Sequence, residues 1–431
     1  MPRPALWKGD QYARIAILGA GPAGLSAACC LREQGYGRIT LFEQNSRVGG
    51  KVHSLPTADG IVEIGAVLAS ADYTHVLKLA DDYGIDYQPY PVPLTFVEQH
   101  QQHTLMELLL SRHDAEETAQ AIHNYASALQ RFVCDQPLSQ AHSELFRPFA
   151  QFAQRHGFMP VAQLAQSILV GFGYGNYEDT PALYLMQIIG WLLKVENGQL
   201  QLGEFFTFPS GYQSLWEAVS ADFDVRLNAR ITTITPNDDN GPLHLIINEE
   251  HDFEFDALLI SAPLNQLSQL MNWPEQHQQL FRQVNSLRYL VNLFCASKLP
   301  TETFSLIPEH AQPTPPHRTA AWANRSADKP VYISWQQACR NATPEQLNAA
   351  LAEDIHNQGG EFKALLLRQE WDYFPHADSQ ALSNGFFRQL EQLQGQSGIY
   401  FIGASLSFET VEHSVRQACS LVQQHFPPVQ E

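Results

Sequence analysis

Three glycines at fixed spacing hold the clearest chemistry in the chain. Gly19, Gly21 and Gly24 read G-x-G-x-x-G, directly after the apolar run 13–18 and at the start of a helical stretch. In that context the first glycine makes a tight turn, the second lets backbone approach a pyrophosphate, and the third lets helix pack on strand. Pro22 and Ala23 complete the turn. The helix that follows aims unpaired N–H groups and the positive end of its dipole at the phosphates. Glu43 closes the next apolar run, 19 residues beyond Gly24. A carboxylate at that spacing accepts the hydroxyls of an adenosine ribose. A glycine-rich turn with a surface glutamate is the plainer alternative, but strand, glycines, helix and acid in this order favour a dinucleotide. Metal and thiol chemistry have no comparable signature. The 17 histidines form no H-E-x-x-H, and Cys29, Cys30, Cys134, Cys295, Cys339 and Cys419 form no C-x-x-C. Such scattered cysteines read as neither a disulfide framework nor a zinc site, and they fit a reducing cytosol.

These residues need a parallel sheet to hold them. Residues 13–18 read as a buried strand, the helix stops at Gly35, and 38–43 read as a second strand, which makes one βαβ opening. From 74 to 200 the text is helical, with the proline-rich crossing 89–94 inside it. Residues 205–262 return to strands separated by turn clusters such as 236–241. Residues 264–286 are helical again, 287–298 and 331–336 are strands, and 344–358 is a helix. The Pro/His-rich stretch 308–318 reads as an exposed loop. A strand at 398–405 followed by a helix at 410–426 repeats the opening grammar, so the domains are discontinuous.

Composition narrows the partners. With 26 Lys+Arg against 45 Asp+Glu, the net charge is −19 over 431 residues. That balance argues against nucleic acid and anionic membrane surfaces, which reward clustered cations. Hydrophobic residues at 44% and charged ones at 16% allow large cores and exclude disorder as the dominant state. The N-terminal stretch has no apolar signal region, and the most apolar run, 182–195, is shorter than the roughly 18 residues that span a bilayer. The expectation is a cytoplasmic protein without integral membrane association; the oligomeric state is left open.

Glu43-Gln-Asn-Ser-Arg47-Val-Gly49-Gly50-Lys51 resembles the E-x-x-x-R-x-G-G-R segment of the flavin-containing amine oxidase superfamily. The resemblance implies FAD, with the paired glycines and Val52 against its diphosphate and ring, and Arg47 and Lys51 facing the phosphates. Lys51 stands where the family more often has Arg, a point charge in place of a fork. The stretch from Asp59 to Ala66 resembles the family's turn beside the isoalloxazine, which implicates Gly65 and Ala66. Residues 208–231 resemble its second dinucleotide segment, where Ile231 would meet adenine through the main chain. Tyr400-Phe-Ile-Gly403-Ala404-Ser405 resembles Y-F-A-G-E, whose acid binds the ribityl chain. Ala404 replaces that acid and removes one charge-assisted hydrogen bond, worth roughly 1.5–3 kcal/mol, with Ser405 as a weak substitute. No cysteine lies in this segment, which implies a non-covalent flavin.

Within the superfamily the chain is similar to the polyenoic fatty acid isomerases, through residues 48–54, 171–175, 371–376 and 403–408 in the same order. That likeness implies hydride removal from one carbon and its return to another, a double-bond migration on an apolar small-molecule substrate. Two features depart from it: Ala404, and the absence of Arg or Lys from residues 91–100, where the isomerases hold a substrate carboxylate. Either Arg112, Arg147, Arg155 or Arg288, unranked, takes that role, or the substrate is not a free fatty acid. Amine oxidases place a lysine near the flavin on the strand matching 287–298; Asn292 takes the aligned position here, and Lys298 lies too far along. This leans away from an oxidase.

The fold class expected is therefore α/β: a Rossmann-type, two-dinucleotide-binding FAD domain with discontinuous substrate-binding and helical domains. Its FAD-binding parts are 10–73, 205–263 and 361–431, with a substrate/helical region at 74–204 and a substrate-binding region at 264–360. Phe172, Tyr174, Trp371, Tyr373, Phe374 and His376 are the substrate-cavity candidates, with Tyr177 and Trp191 as further wall residues and His53 beside the flavin loop. Each of these reads equally as core, since aromatic residues dominate cores; no catalytic residue is assigned. The expected function is an FAD-dependent enzyme that abstracts hydride from an apolar, unsaturated, fatty-acid-like substrate, with isomerisation or dehydrogenation. An amine or amino-acid oxidase is the alternative, and a flavin-binding protein with a degenerate site is the alternative from another class.

Overall fold

The computed structural model describes residues 8–58, 60–133, 138–236, 241–301, 304–311, 317–324 and 329–429. Cys134, Asp59, the turn residues 237–240 and residues 312–316 of the Pro/His-rich stretch lie outside the described residues.

The apolar run near the N-terminus forms the strand Arg14–Leu18, with Ile15, Ala16 and Ile17 fully buried. It is the centre of a five-stranded parallel sheet. Arg38–Phe42 and then Asp224–Arg226 lie on one side of it, Ala257–Ile260 and Ile399–Phe401 on the other. A strand buried on both faces has no polar side to alternate with, which is why these segments read as continuous apolar runs. The helix Pro22–Glu33 packs along the sheet against the closing helix Val411–His425. The C-terminal strand is shorter than residues 398–405 suggest, because Gly403 takes a left-handed φ of 94° and turns the chain into a short 3-10 segment, Ala404–Leu406.

A second sheet has seven strands in the order Glu361–Ala377, Val284–Ser297, Val331–Ala338, Thr319–Asn324, Phe304–Leu306, Leu94–Glu98 and Gln101–His103. All neighbours are antiparallel except Phe304–Leu306 with Leu94–Glu98. The long strand Glu361–Ala377 is paired along its length with Val284–Ser297. Sequence reading had grouped it with the last FAD-binding part; its hydrogen bonds place it in this second sheet instead. The proline-rich crossing likewise leads into the strand Leu94–Glu98 rather than back into a helix. The stretch 182–195 splits into a buried helix, Ala182–Leu192, and the strand Leu193–Glu196. Between 264 and 286 only Glu275–Phe281 is α-helical, after a 3-10 turn at Leu264–Gln269.

One expectation about the cysteines is corrected. Cys30, on the first helix, and Cys419, on the closing helix, form a disulfide with Cα atoms 5.7 Å apart. Their separation of 389 residues hides the pairing from any spacing rule. Cys29, Cys295 and Cys339 are free thiols. Among the described residues no group of His, Cys, Asp or Glu could hold a metal ion, and no helix is long and apolar enough to cross a membrane.

Candidate active site

The two sheets meet across a cleft of about 1140 Å³. That exceeds the roughly 300–1,000 Å³ of an ordinary small-molecule site, so the cleft has room for a dinucleotide and a second ligand. One end is built by the parallel sheet. Gly19, Gly21, Pro22 and Ala23 line it at the start of the first helix. That helix has Gly21 at its N-cap and no side-chain cap, so its first N–H groups are left for a ligand. Gly24 sits behind, where a Cβ would stand 2.0 Å from the Gly19 carbonyl oxygen; a hydrogen there is what lets helix meet strand.

Glu43 is buried and its carboxylate is held in place. Oε2 accepts the Ala20 N–H at 3.0 Å, and Oε1 accepts Asn45 N–H at 2.9 Å. Oε1 also accepts the Asn45 side-chain amide at 2.6 Å, so it is Oε2 that keeps a lone pair for a hydroxyl. Ile231 opens a strand on the wall at the same end.

The loop after Glu43 differs from expectation at both cations. Arg47 does not face the cleft with a free fork: its guanidinium donates to the carbonyls of Val48, Gly50 and Val52, at 3.1, 2.7 and 3.2 Å. It fastens its own loop, in which Gly49 and Gly50 both take left-handed φ. Lys51 is paired with Glu409, its Nζ 3.0 Å from each carboxylate oxygen. Both cations are thus engaged by groups of the chain itself. Gly50 and Gly21 face each other; a Cβ on Gly50 would lie 3.2 Å from the Gly21 Cα. Val52 lines the cleft next to them. Gly65 lets the following turn press onto this loop, since a Cβ there would meet the Lys51 carbonyl at 2.0 Å, and Ala66 N–H bonds that carbonyl at 3.0 Å. Gly403, Ala404 and Ser405 complete the wall, with Ser405 Oγ accepting the Leu264 N–H. This backbone cradle, with a glycine wherever a Cβ would fill it, fits FAD.

The other end of the cleft is aromatic. Phe172, Tyr174, Trp371 and Tyr373 line it, joined by Tyr289 and Trp335. Phe374 and His376 do not. Phe374 is fully buried and His376 stacks on it at 4.4 Å, behind the wall, because strand alternation turns Gln369, Trp371, Tyr373 and Pro375 to the cleft and Phe374 and His376 to the other face. Tyr177 and Trp191 also lie off the cleft, Trp191 being stacked on His413. His53 lines the cleft near Trp371, and burial pushes its pKa down to about 4. The tyrosine hydroxyls are tied off: Tyr289 to the Gly171 carbonyl, Tyr174 to the Glu409 carbonyl at 3.0 Å, and Tyr373 to Tyr174 at 3.3 Å. Burial holds all three phenols well above their ordinary pKa, so none ionises as a base near neutral pH.

The strand register moves another expected residue. Tyr289 and Val291 face the cleft, whereas Asn292 points to the opposite side of the sheet and binds Ser334, Gln336 and Arg368. The residue to compare with the oxidases' lysine is thus one facing the cleft; neither Tyr289 nor Val291 is a cation. Lys298 pairs with Glu361. Arg112, Arg155 and Arg288 are paired with Glu98, Glu144 and Glu370, and none of these three, nor Arg147, lines the cleft. The wall also includes Glu409, Thr410 and Val411 at the N-terminus of the closing helix, which sequence reading did not single out. The signal was present in the strand–glycine–helix grammar shared with residues 14–33.

Fold and cleft together define a flavoprotein built on a Rossmann-type sheet. Residues 22–424 match the family model for flavin-containing amine oxidoreductases, and the chain belongs to that family, whose enzymes depend on FAD. Among solved structures, the CLA-producing fatty acid isomerase from P. acnes superposes with a TM-score of 0.85 at 22% identity, over 97% of this chain and 99% of that one, a likeness of fold. Putrescine oxidase of Kocuria rosea is 39% identical over 77 residues, which cover 18% of this chain and 16% of that protein. Mitochondrial protoporphyrinogen oxidase of Nicotiana tabacum is 24% identical over 302 residues, 60% of this chain and 59% of that one. The curated relatives are thus matched over less than two thirds of their own length.

Proposed function

We propose that this chain is an FAD-dependent enzyme that removes hydride from a C–H bond of an apolar, unsaturated, fatty-acid-like small molecule, with double-bond isomerisation or dehydrogenation as the outcome. The observation that carries this reading is the aromatic end of the cleft, where hydroxyls are bound to carbonyls and to each other so that ring faces line the space. When bound, the flavin would supply the hydride acceptor, and the protein supplies orientation and a dry cavity. Gly19, Gly21, Gly49, Gly50 and Gly65 would admit the cofactor's backbone contacts, Glu43 its ribose, and the N-termini of the first and closing helices its polar groups. Tyr174, Tyr289 and Tyr373 hold the aromatic wall rigid and exclude water. Isomerisation returns the hydride and so needs no acid–base pair; dehydrogenation would also require a proton to leave the neighbouring carbon for water or a base at the cleft. The binding is non-covalent, as no cysteine lies between 398 and 409. The Cys30–Cys419 bridge counts against a reducing cytosol and leaves the compartment open.

Family membership keeps an amine or amino-acid oxidase as the second reading. The purified protein should be yellow, bleach on anaerobic photoreduction and recover slowly in air. Steady peroxide release with amines or amino acids would favour the oxidase. A colourless protein that takes up no added FAD would sink both and leave a degenerate flavin-family protein.

A further inference from the structure

Where the dinucleotide end of the cleft meets the aromatic end stands the Lys51–Glu409 ion pair, with side chains 28% and 11% exposed. Lys51 follows Gly50, which faces the first helix, and its ammonium lies 5.4 Å from the centre of the Tyr373 ring. Glu409 precedes the N-cap of the closing helix, and its carbonyl accepts the Tyr174 hydroxyl at 3.0 Å. The pair is thus fastened to both walls of the cleft.

The other charged groups along the cleft are committed elsewhere. Arg47 holds loop carbonyls, and Glu43 accepts backbone N–H groups. Arg230 is exposed at the adenosine end, beside Ile231. Asp372 is exposed at the rim and accepts Ser286 and Gln266. His53 is neutral above about pH 4. Lys51 and Glu409 are therefore the charges that a ligand in the aromatic end would meet.

We propose that Lys51 and Glu409 act jointly as the specificity determinant of the aromatic end: as a pair without net charge they admit an uncharged apolar segment and turn away an ammonium or a carboxylate. The inference rests on the reading of that end as the substrate chamber. A carboxylate entering there sheds its hydration for a cation already bound on both sides, and it approaches Glu409 as a like charge. An ammonium meets Lys51 in the same way. An amide, alcohol or hydrocarbon meets neither cost.

The test titrates the FAD-loaded protein with octanamide, octanoate and octylamine, followed by the visible flavin spectrum and by calorimetry. The unaltered protein should bind octanamide about tenfold or more tighter than either charged ligand. Glu409→Gln frees Lys51 and should shift preference toward octanoate by about tenfold; Lys51→Met should shift it toward octylamine by a similar factor. The double variant should return to the neutral order, which also serves where a single variant fails to fold or to retain flavin. A charged ligand preferred by the unaltered protein, or single variants that keep its order, overturns the proposal alone. A flavin-loaded protein that binds none of the three overturns the chamber reading and this inference with it.

Discussion

Ala404 stands where the resemblance to Y-F-A-G-E implies an acid. It lines the cleft directly after Gly403, whose left-handed φ turns the chain onto the wall. Ala404→Glu would restore a carboxylate at a position that touches the ligand space. FAD affinity should then rise roughly tenfold or more, the equivalent of one charge-assisted hydrogen bond, measured by flavin fluorescence on titration of apoprotein. Unchanged affinity would place the ribityl contact elsewhere. Two histidines make a second prediction at this scale. Burial holds His53 at about 4 and His413 at about 3, below the ordinary 6.5, with Arg47 and Arg416 adding to the effect. The folded state therefore refuses protons that the unfolded chain accepts. Their contribution to stability is complete above pH 6.5 and is lost as pH falls toward 4 and then 3. Urea midpoints should drop across that window, and His413→Gln should make the drop shallower.

At the scale of elements, the first and closing helices lie side by side and are joined by Cys30 and Cys419. A non-reduced digest should contain the cross-linked peptide, and dithiothreitol should lower the stability of the protein by roughly 2–4 kcal/mol, as for other native bridges. Cys419→Ser should be insensitive to the reductant; equal midpoints with and without it in the unaltered chain would remove the bridge from the account. The helices and strands of the dinucleotide end were legible because their physics is local: an apolar run, glycines, a helix and an acid within 30-odd residues. The strand Glu361–Ala377 was not. It is largely half-exposed, so Lys363, Arg368, Glu370 and Asp372 break any apolar period, and its identity comes from pairing with a strand 64 or more residues away. The same limit hid which face of Val284–Ser297 meets the cleft. A strand flips its side chains with each one-residue shift, and only the partners on either side fix the count. Phe172, Tyr174, Trp371 and Tyr373 line the wall, while Phe374 and His376 take the opposite face of a strand whose alternation was not recognised.

At the scale of the whole molecule, the cleft is a seam between a parallel sheet and a mostly antiparallel one. A ligand that spans it contacts the native state and not the unfolded chain, and so stabilises the whole by mass action. Apoprotein should melt at a lower temperature than the yellow form, and FAD at a hundredfold its dissociation constant should add about 2.7 kcal/mol. A melting temperature indifferent to FAD concentration would contradict a cofactor seated across the seam. The central sheet also sets an order of events during synthesis. Arg14–Leu18 leaves the ribosome long before its sheet neighbour Ala257–Ile260, and the strand beyond that is Ile399–Phe401. Most of the chain must be translated before either side of the flavin seat is finished. Completion of the flavin seat is consequently a late step, and a nascent chain halted before Ile399–Phe401 would leave Ala257–Ile260 as an open sheet edge for chaperones to guard.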